Sequence, residues 1–99
     1  MRYLSFMADY KGSCLKDDYD NEIDLGYFGL SKEMLNKIHI WNKKYSQLIP
    51  LSEDERSSFN KEIDILDAEG INICNELKEI IFEEVKIRYF SEGKLKYLA

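Results

Sequence analysis

The sequence predicts an α+β fold in which an antiparallel helical hairpin packs on a small three-stranded sheet, in the order β-α-α-β-β. Three observations predict it. Hydrophobicity alternates with a period of two from Arg2 to Tyr10, recurs at steps of three and four from Leu30 to Phe82, and alternates again from Val85 to Leu98. At 99 residues the chain fits one domain, 1–99, with enough volume to bury a single core.

The first strand sets Leu4, Phe6, Ala8 and Tyr10 against Tyr3, Ser5, Met7 and Asp9, the pattern of a half-buried strand. It is expected to pair antiparallel with Val85–Phe90. From Lys11 to Gly29 no apolar period survives and Gly12, Ser13, Asn21, Gly26 and Gly29 interrupt the chain, so this segment reads as a loop. Connections longer than ~12–15 residues in a compact domain tend to be functional or disordered. Within it, Asp17, Asp18, Asp20, Glu22 and Asp24 face only Lys16, a local charge of −4, with Tyr19, Tyr27 and Phe28 in or just after the acidic run.

Leu30 and Ser31 begin the first helix. Ser31 can cap it, Glu33 suits its positive end, and Leu30 can staple onto Leu35. Met34, Ile38, Trp41, Tyr45 and Leu48 then form a core stripe until Pro50 forbids continuation. Ser52 and Glu55 form a capping box that opens a second helix running to about Phe82, and the short link between the two makes them an antiparallel pair. Its stripe is Phe59, Ile63, Leu66, Ile73, Cys74, Leu77 and Ile81. Gly70 sits on that stripe at a cost of ~1 kcal/mol in helix propensity. Close approach by a neighbour, with Trp41 the candidate, or a kink is therefore expected. The other faces are acidic: from Leu51 to Glu84 eleven carboxylates stand against three cations, a local charge of −8.

The last two strands turn about Ser91-Glu92-Gly93. A three-residue loop with a left-handed Gly93 would pair Tyr89 with Leu95 and Ile87 with Tyr97 on an apolar face. Lys86, Arg88, Phe90, Lys94 and Lys96 would occupy a basic opposite face.

Composition narrows the function. The chain is 44% hydrophobic and 33% charged, ordinary for a folded soluble domain. No apolar run approaches the ~20 residues of a membrane span and charges return by Asp9, so a cytoplasmic protein is expected. A net charge of −5 disfavours nucleic acid and anionic membranes as partners and favours a basic protein. Cys14 and Cys74 lie sixty residues apart with no CxxC neighbour, which reads as two reduced thiols, and His39 has no second histidine to form a ligand pair. Asp18, Asp20 and Glu22 imitate the alternating oxygens of an EF-hand, but Ile23 replaces its turn glycine and Gly29 its bidentate acid. No metal, cofactor or catalytic set is predicted. A nucleic-acid module using the basic hairpin face, and a homodimeric accessory protein, stand as alternatives to a binder of a basic protein.

The strings Leu30-Ser31-Lys32-Glu33, Trp41-Asn42, Ile49-Pro50-Leu51, Leu66-Asp67-Ala68-Glu69-Gly70 and Val85 to Leu95 together resemble a group of short bacterial proteins that includes immunity proteins of polymorphic toxin systems, among them contact-dependent growth inhibition. The resemblance implies a non-enzymatic inhibitor of a cognate toxin domain. Such toxins are commonly nucleases, whose clefts are basic because they hold phosphate, and an acidic protein matches such a cleft. On that reading the expected anchors are Asp17, Asp18, Tyr19, Asp20, Glu22 and Asp24, with Tyr27 and Phe28 as apolar contacts. Glu62, Asp67, Glu69 and Glu76 form a second candidate surface.

Overall fold

A computed structural model describes residues 2–9, 14–17, 19, 21–23, 29–81 and 85–98. The elements are β1 (Arg2–Phe6), β2 (Leu15–Lys16), β3 (Glu22–Ile23), α1 (Lys32–Ser46), α2 (Glu53–Ser57), α3 (Asn60–Ile80), β4 (Val85–Ser91) and β5 (Lys96–Tyr97). The class is α+β, as expected, but the sheet has five strands in the order β3-β2-β1-β4-β5. Two of them come from the segment expected to be loop. Strands of two residues are too short to show a period, which is why no alternation betrays them.

β1 runs parallel to β4, with Leu4 beside Ile87 and Phe6 beside Tyr89, which corrects the antiparallel pairing expected. The reason lies in where α1 ends. Asn42, in its penultimate turn, clamps the backbone of Asp9 with two hydrogen bonds of 2.8 and 2.9 Å, and the Tyr45 hydroxyl lies 3.2 Å from Ser91 Oγ. The end of α1 thus sits at the C-terminal ends of β1 and β4. α3 runs back to their N-terminal ends, and β4 sets out beside β1 in the same direction.

The starts of α1 and α2 follow the capping residues, whereas α3 starts after Phe59 with no side-chain cap. Ser31 Oγ accepts from the Met34 N–H at 3.1 Å, and Ser52 and Glu55 complete their reciprocal box at 3.2 Å each. The second helix, expected to be continuous, breaks at Ser58 and Phe59 into α2 and α3. α2 buries no residue, so side-chain anchors rather than a core stripe set its direction. Arg56 supplies them by donating to the carbonyls of Glu92 and Ile49. Phe59 consequently leaves the stripe and stands 40% exposed.

One apolar cluster lies between the helices and one face of the sheet. At its centre Phe6 stacks on Trp41 at 5.0 Å, and Trp41 meets Tyr45 edge-on at 5.6 Å. The indole N–H donates to the Leu66 carbonyl at 2.8 Å. Gly70 is a close approach, but to Tyr89 rather than Trp41: a Cβ there would stand 2.4 Å from Tyr89 Cε1. Cys14 and Cys74 are buried thiols outside any disulfide, and burial pushes Cys14 up to about 12.

The β4–β5 turn also departs from expectation. Phe90 pairs with Tyr97 and Ser91 with Lys96, and the left-handed residue is Leu95 at φ 56°. Gly93 serves closeness instead: a Cβ there would meet Ile63 Cγ2 at 2.6 Å and the Tyr45 hydroxyl at 2.9 Å.

Candidate functional site

Three regions contain the residues expected to bind a partner. The first is the segment 17–28. Asp18, Asp20, Asp24, Tyr27 and Phe28 lie outside the described residues. Asp17 accepts from the N–H groups of Tyr19 and Asn21 at 2.9 Å each, and its own N–H donates to the Asn21 carbonyl at 3.0 Å. It therefore closes the β2–β3 turn, an Asx-type role that uses its carboxylate within the fold. Tyr19 stands 84% exposed beside that turn, and Glu22 is exposed on the edge strand.

The second region is α3, and it divides the predicted glutamates from the predicted aspartate. Asp67 is 2% exposed and cannot present itself to a partner, a correction to its place on the acidic face. One oxygen accepts from the hydroxyls of Tyr45 at 2.8 Å and Tyr89 at 2.6 Å, the other from Ser91 Oγ at 2.8 Å, and Lys94 Nζ lies 3.8 Å away. The donors are themselves relayed: the Tyr45 hydroxyl accepts from the Gly93 N–H at 2.8 Å, and Ser91 Oγ from the Lys94 N–H at 3.0 Å. Burial pushes the Tyr45 hydroxyl up to about 12 and raises Tyr89 as well, so both remain donors. This cluster ties α1, α3 and the β4–β5 turn together. Its signal was in the sequence, since position 67 shares the buried stripe with Ile63, Gly70 and Cys74.

Glu62, Glu69 and Glu76 point elsewhere. They line the solvent side of the seam between α1 and α3, where two concavities of about 490 and 340 Å³ lie end to end and share Glu69. Glu76 is paired with Lys37 at 2.7 Å. Among the described residues no ion pair engages Glu62, Glu69 or Glu79. No described residue of the 17–28 segment lines either concavity, so the structure does not merge the two candidate surfaces there.

The third region is the open face of the sheet. Lys86, Arg88 and Phe90 lie on it as expected, joined by Tyr97: the Arg88 guanidinium sits 3.7 Å over the Tyr97 ring, Phe90 meets that ring edge-on at 5.1 Å, and the Tyr97 hydroxyl is 3.0 Å from Ser5 Oγ. The basic face is thinner than expected. Lys94 turns to Asp64 at 2.7 Å, and the register puts Lys96 beside Ser91, out of step with Tyr97.

No group of His, Cys, Asp and Glu among the described residues could hold a metal ion, and no helix among them is long and apolar enough to cross a membrane. The surfaces offer recognition by charge, aromatic contact and shape. A family model described as Serratia CdiI immunity protein-like matches residues 2–92. The chain belongs to this immunity protein family. The matched span of the CdiI-like chain runs from β1 to the β4–β5 turn, so it takes in the parallel pair, the helices α1 to α3 and Asp67 with its donors Tyr45, Tyr89 and Ser91. No curated protein matches the chain.

Proposed function

We propose that this CdiI-like chain binds the toxin domain of its own contact-dependent growth-inhibition system and neutralises it in the cytoplasm of the producing cell, by occupying a surface and performing no chemistry of its own. The partner is a basic domain, a nuclease, met by an acidic surface. The observation that carries the charge argument is the row of α3 glutamates of which Glu62 and Glu69 form no ion pair among the described residues, although Lys44 borders the same concavity, in a chain of net charge −5. Charge matching of this kind raises association rates and excludes wrong partners. The loss of Lys94 and Lys96 from the open sheet face weakens the alternative of nucleic-acid binding there, which needs clustered cations.

Co-expression tests the reading. Cells expressing the cognate toxin domain should survive only when this chain is present. The purified domain should lose nuclease activity as the chain is titrated to one equivalent. Death in the presence of a folded chain would overturn the immunity role, and rescue of a toxin that cleaves no nucleic acid would overturn the nuclease alone.

A further inference from the structure

The seam between α1 and α3 has features that an ordinary solvated helix face lacks. Ile40 lines one concavity and Ile65 and Phe59 the other, at 47, 54 and 40% exposure, while Trp41, Ile73 and Leu66 reach it from the core side. Apolar side chains thus stand in solvent along a groove, with no described part of this chain covering them. Carboxylates border them at a fixed step. Glu62, Glu69 and Glu76 recur every seven residues, two helical turns or ~10.5 Å each, so they span ~21 Å along one side.

Two physical constraints select the occupant. The groove walls are helices, whose mid-helix N–H and C=O groups are already paired, so an extended segment entering here would find no backbone partners for its own. A helix brings its backbone hydrogen bonds satisfied within itself. The charge step agrees: side chains on one face of a strand repeat every ~6.6 Å, out of phase with the glutamates, whereas positions i and i+7 of a helix repeat at the same ~10.5 Å. From these we infer that the α1–α3 seam receives one cationic amphipathic helix of the toxin domain, laid along it as a third helix. Its apolar side chains enter the two concavities and its Lys or Arg residues, two turns apart, meet Glu62 and Glu69. Glu76 is already paired with Lys37 and the partner needs no cation there, whereas Lys44, which borders the other concavity, pairs with neither Glu62 nor Glu69.

The inference rests on the toxin-binding reading, and the experiment separates the two. Calorimetry would measure the cognate toxin domain binding to the full chain, to Glu62→Lys/Glu69→Lys, to Ile65→Asp and, on the sheet face, to Arg88→Ala. All three seam positions are exposed, so circular dichroism should show each variant folded. Both seam variants are expected to bind about 30-fold more weakly or worse, as at interface hot spots, and Arg88→Ala within about twofold. Photo-crosslinking from position 65 should then capture a segment of the toxin that is helical in the complex. Wild-type affinity in both seam variants would overturn the seam, as would crosslinking to an extended segment. Failure of the unaltered chain to bind or rescue would instead overturn toxin binding itself. Sedimentation of the free chain tests the rival occupant: a dimer dispersed by Ile65→Asp would show a second copy in the groove and overturn the assignment to the toxin.

Discussion

Asp67 and Glu69 stand two positions apart on α3 and serve opposite ends. Asp67 faces inward, where three hydroxyl groups use its oxygens and bind two helices to the β4–β5 turn. Glu69 faces outward, between two concavities, and forms no ion pair among the described residues. Identical formal charge on one helix therefore has no fixed meaning until the buried stripe is known. A step of two positions decides whether a carboxylate is enclosed by the fold or stands in solvent. Burying a charge is tolerated only when its lone pairs are filled, which is the condition met at Asp67.

The contrast can be broken most forcefully at Asp67. Asp67→Ala strands buried tyrosine and serine donors and should lower stability by about 3 kcal/mol or more in urea unfolding. Asp67→Asn should lose less, because the amide oxygen keeps one acceptor. If Asp67→Ala unfolded at the wild-type midpoint, the inward cluster would not organise the fold. Next in size is Gly70→Ala, whose methyl meets the Tyr89 ring and should cost about 1–3 kcal/mol, where an exposed helix position would instead gain about 1 kcal/mol.

Alkali probes the same cluster without mutation. Tyr45 and Tyr89 are raised in the folded state mainly by burial, so the folded chain disfavours their ionised forms. Their contribution is complete below the ordinary tyrosine value of 10.0 and is lost as the pH rises through it toward about 12. Cys14, raised from 9.0 to about 12, adds a loss of the same sign that begins lower. Tyrosinate absorbance should accordingly show two of the seven tyrosines ionising only together with unfolding. Titration of all seven in a chain that keeps its circular dichroism would contradict the cluster's burial.

The outward side should respond in the reverse manner. Glu62→Gln/Glu69→Gln should leave the melting temperature at the wild-type value and weaken toxin binding several-fold at low salt. The difference from wild type should shrink as salt is added, because exposed pairs are screened over ~10 Å at 0.1 M. A fall in melting temperature without a change in affinity would move these glutamates to the inward side of the comparison.

Several features were legible in the residues because they are local. The Ser31 cap, the Ser52/Glu55 box and the buried Met34 to Leu48 stripe each depend on neighbours within a few positions and appear in the structure, while α1 ends at Ser46, ahead of the stop expected at Pro50. The close approach at Gly70 was legible as a need, though not as a partner, because a glycine shows that room is required and not which ring fills it. The β2–β3 hairpin left no trace, since two-residue strands are held by an edge and by the Asp17 turn rather than by a pattern. Asp67 was misplaced because counting acids along α3 ignores the angle at which each leaves the helix.

By itself the sequence determined the α+β class, the starts of α1 and α2, most of the core and an acidic excess, all of which follow from composition and short-range periodicity. Tertiary structure alone decided that β1 and β4 run parallel, that α2 turns away on Arg56, that Leu95 takes the left-handed turn position, and which α3 carboxylate is buried. Each of these is settled by contacts between residues distant in the chain, such as Asn42 with Asp9 and Tyr45 with Asp67, and no short window of sequence contains both partners.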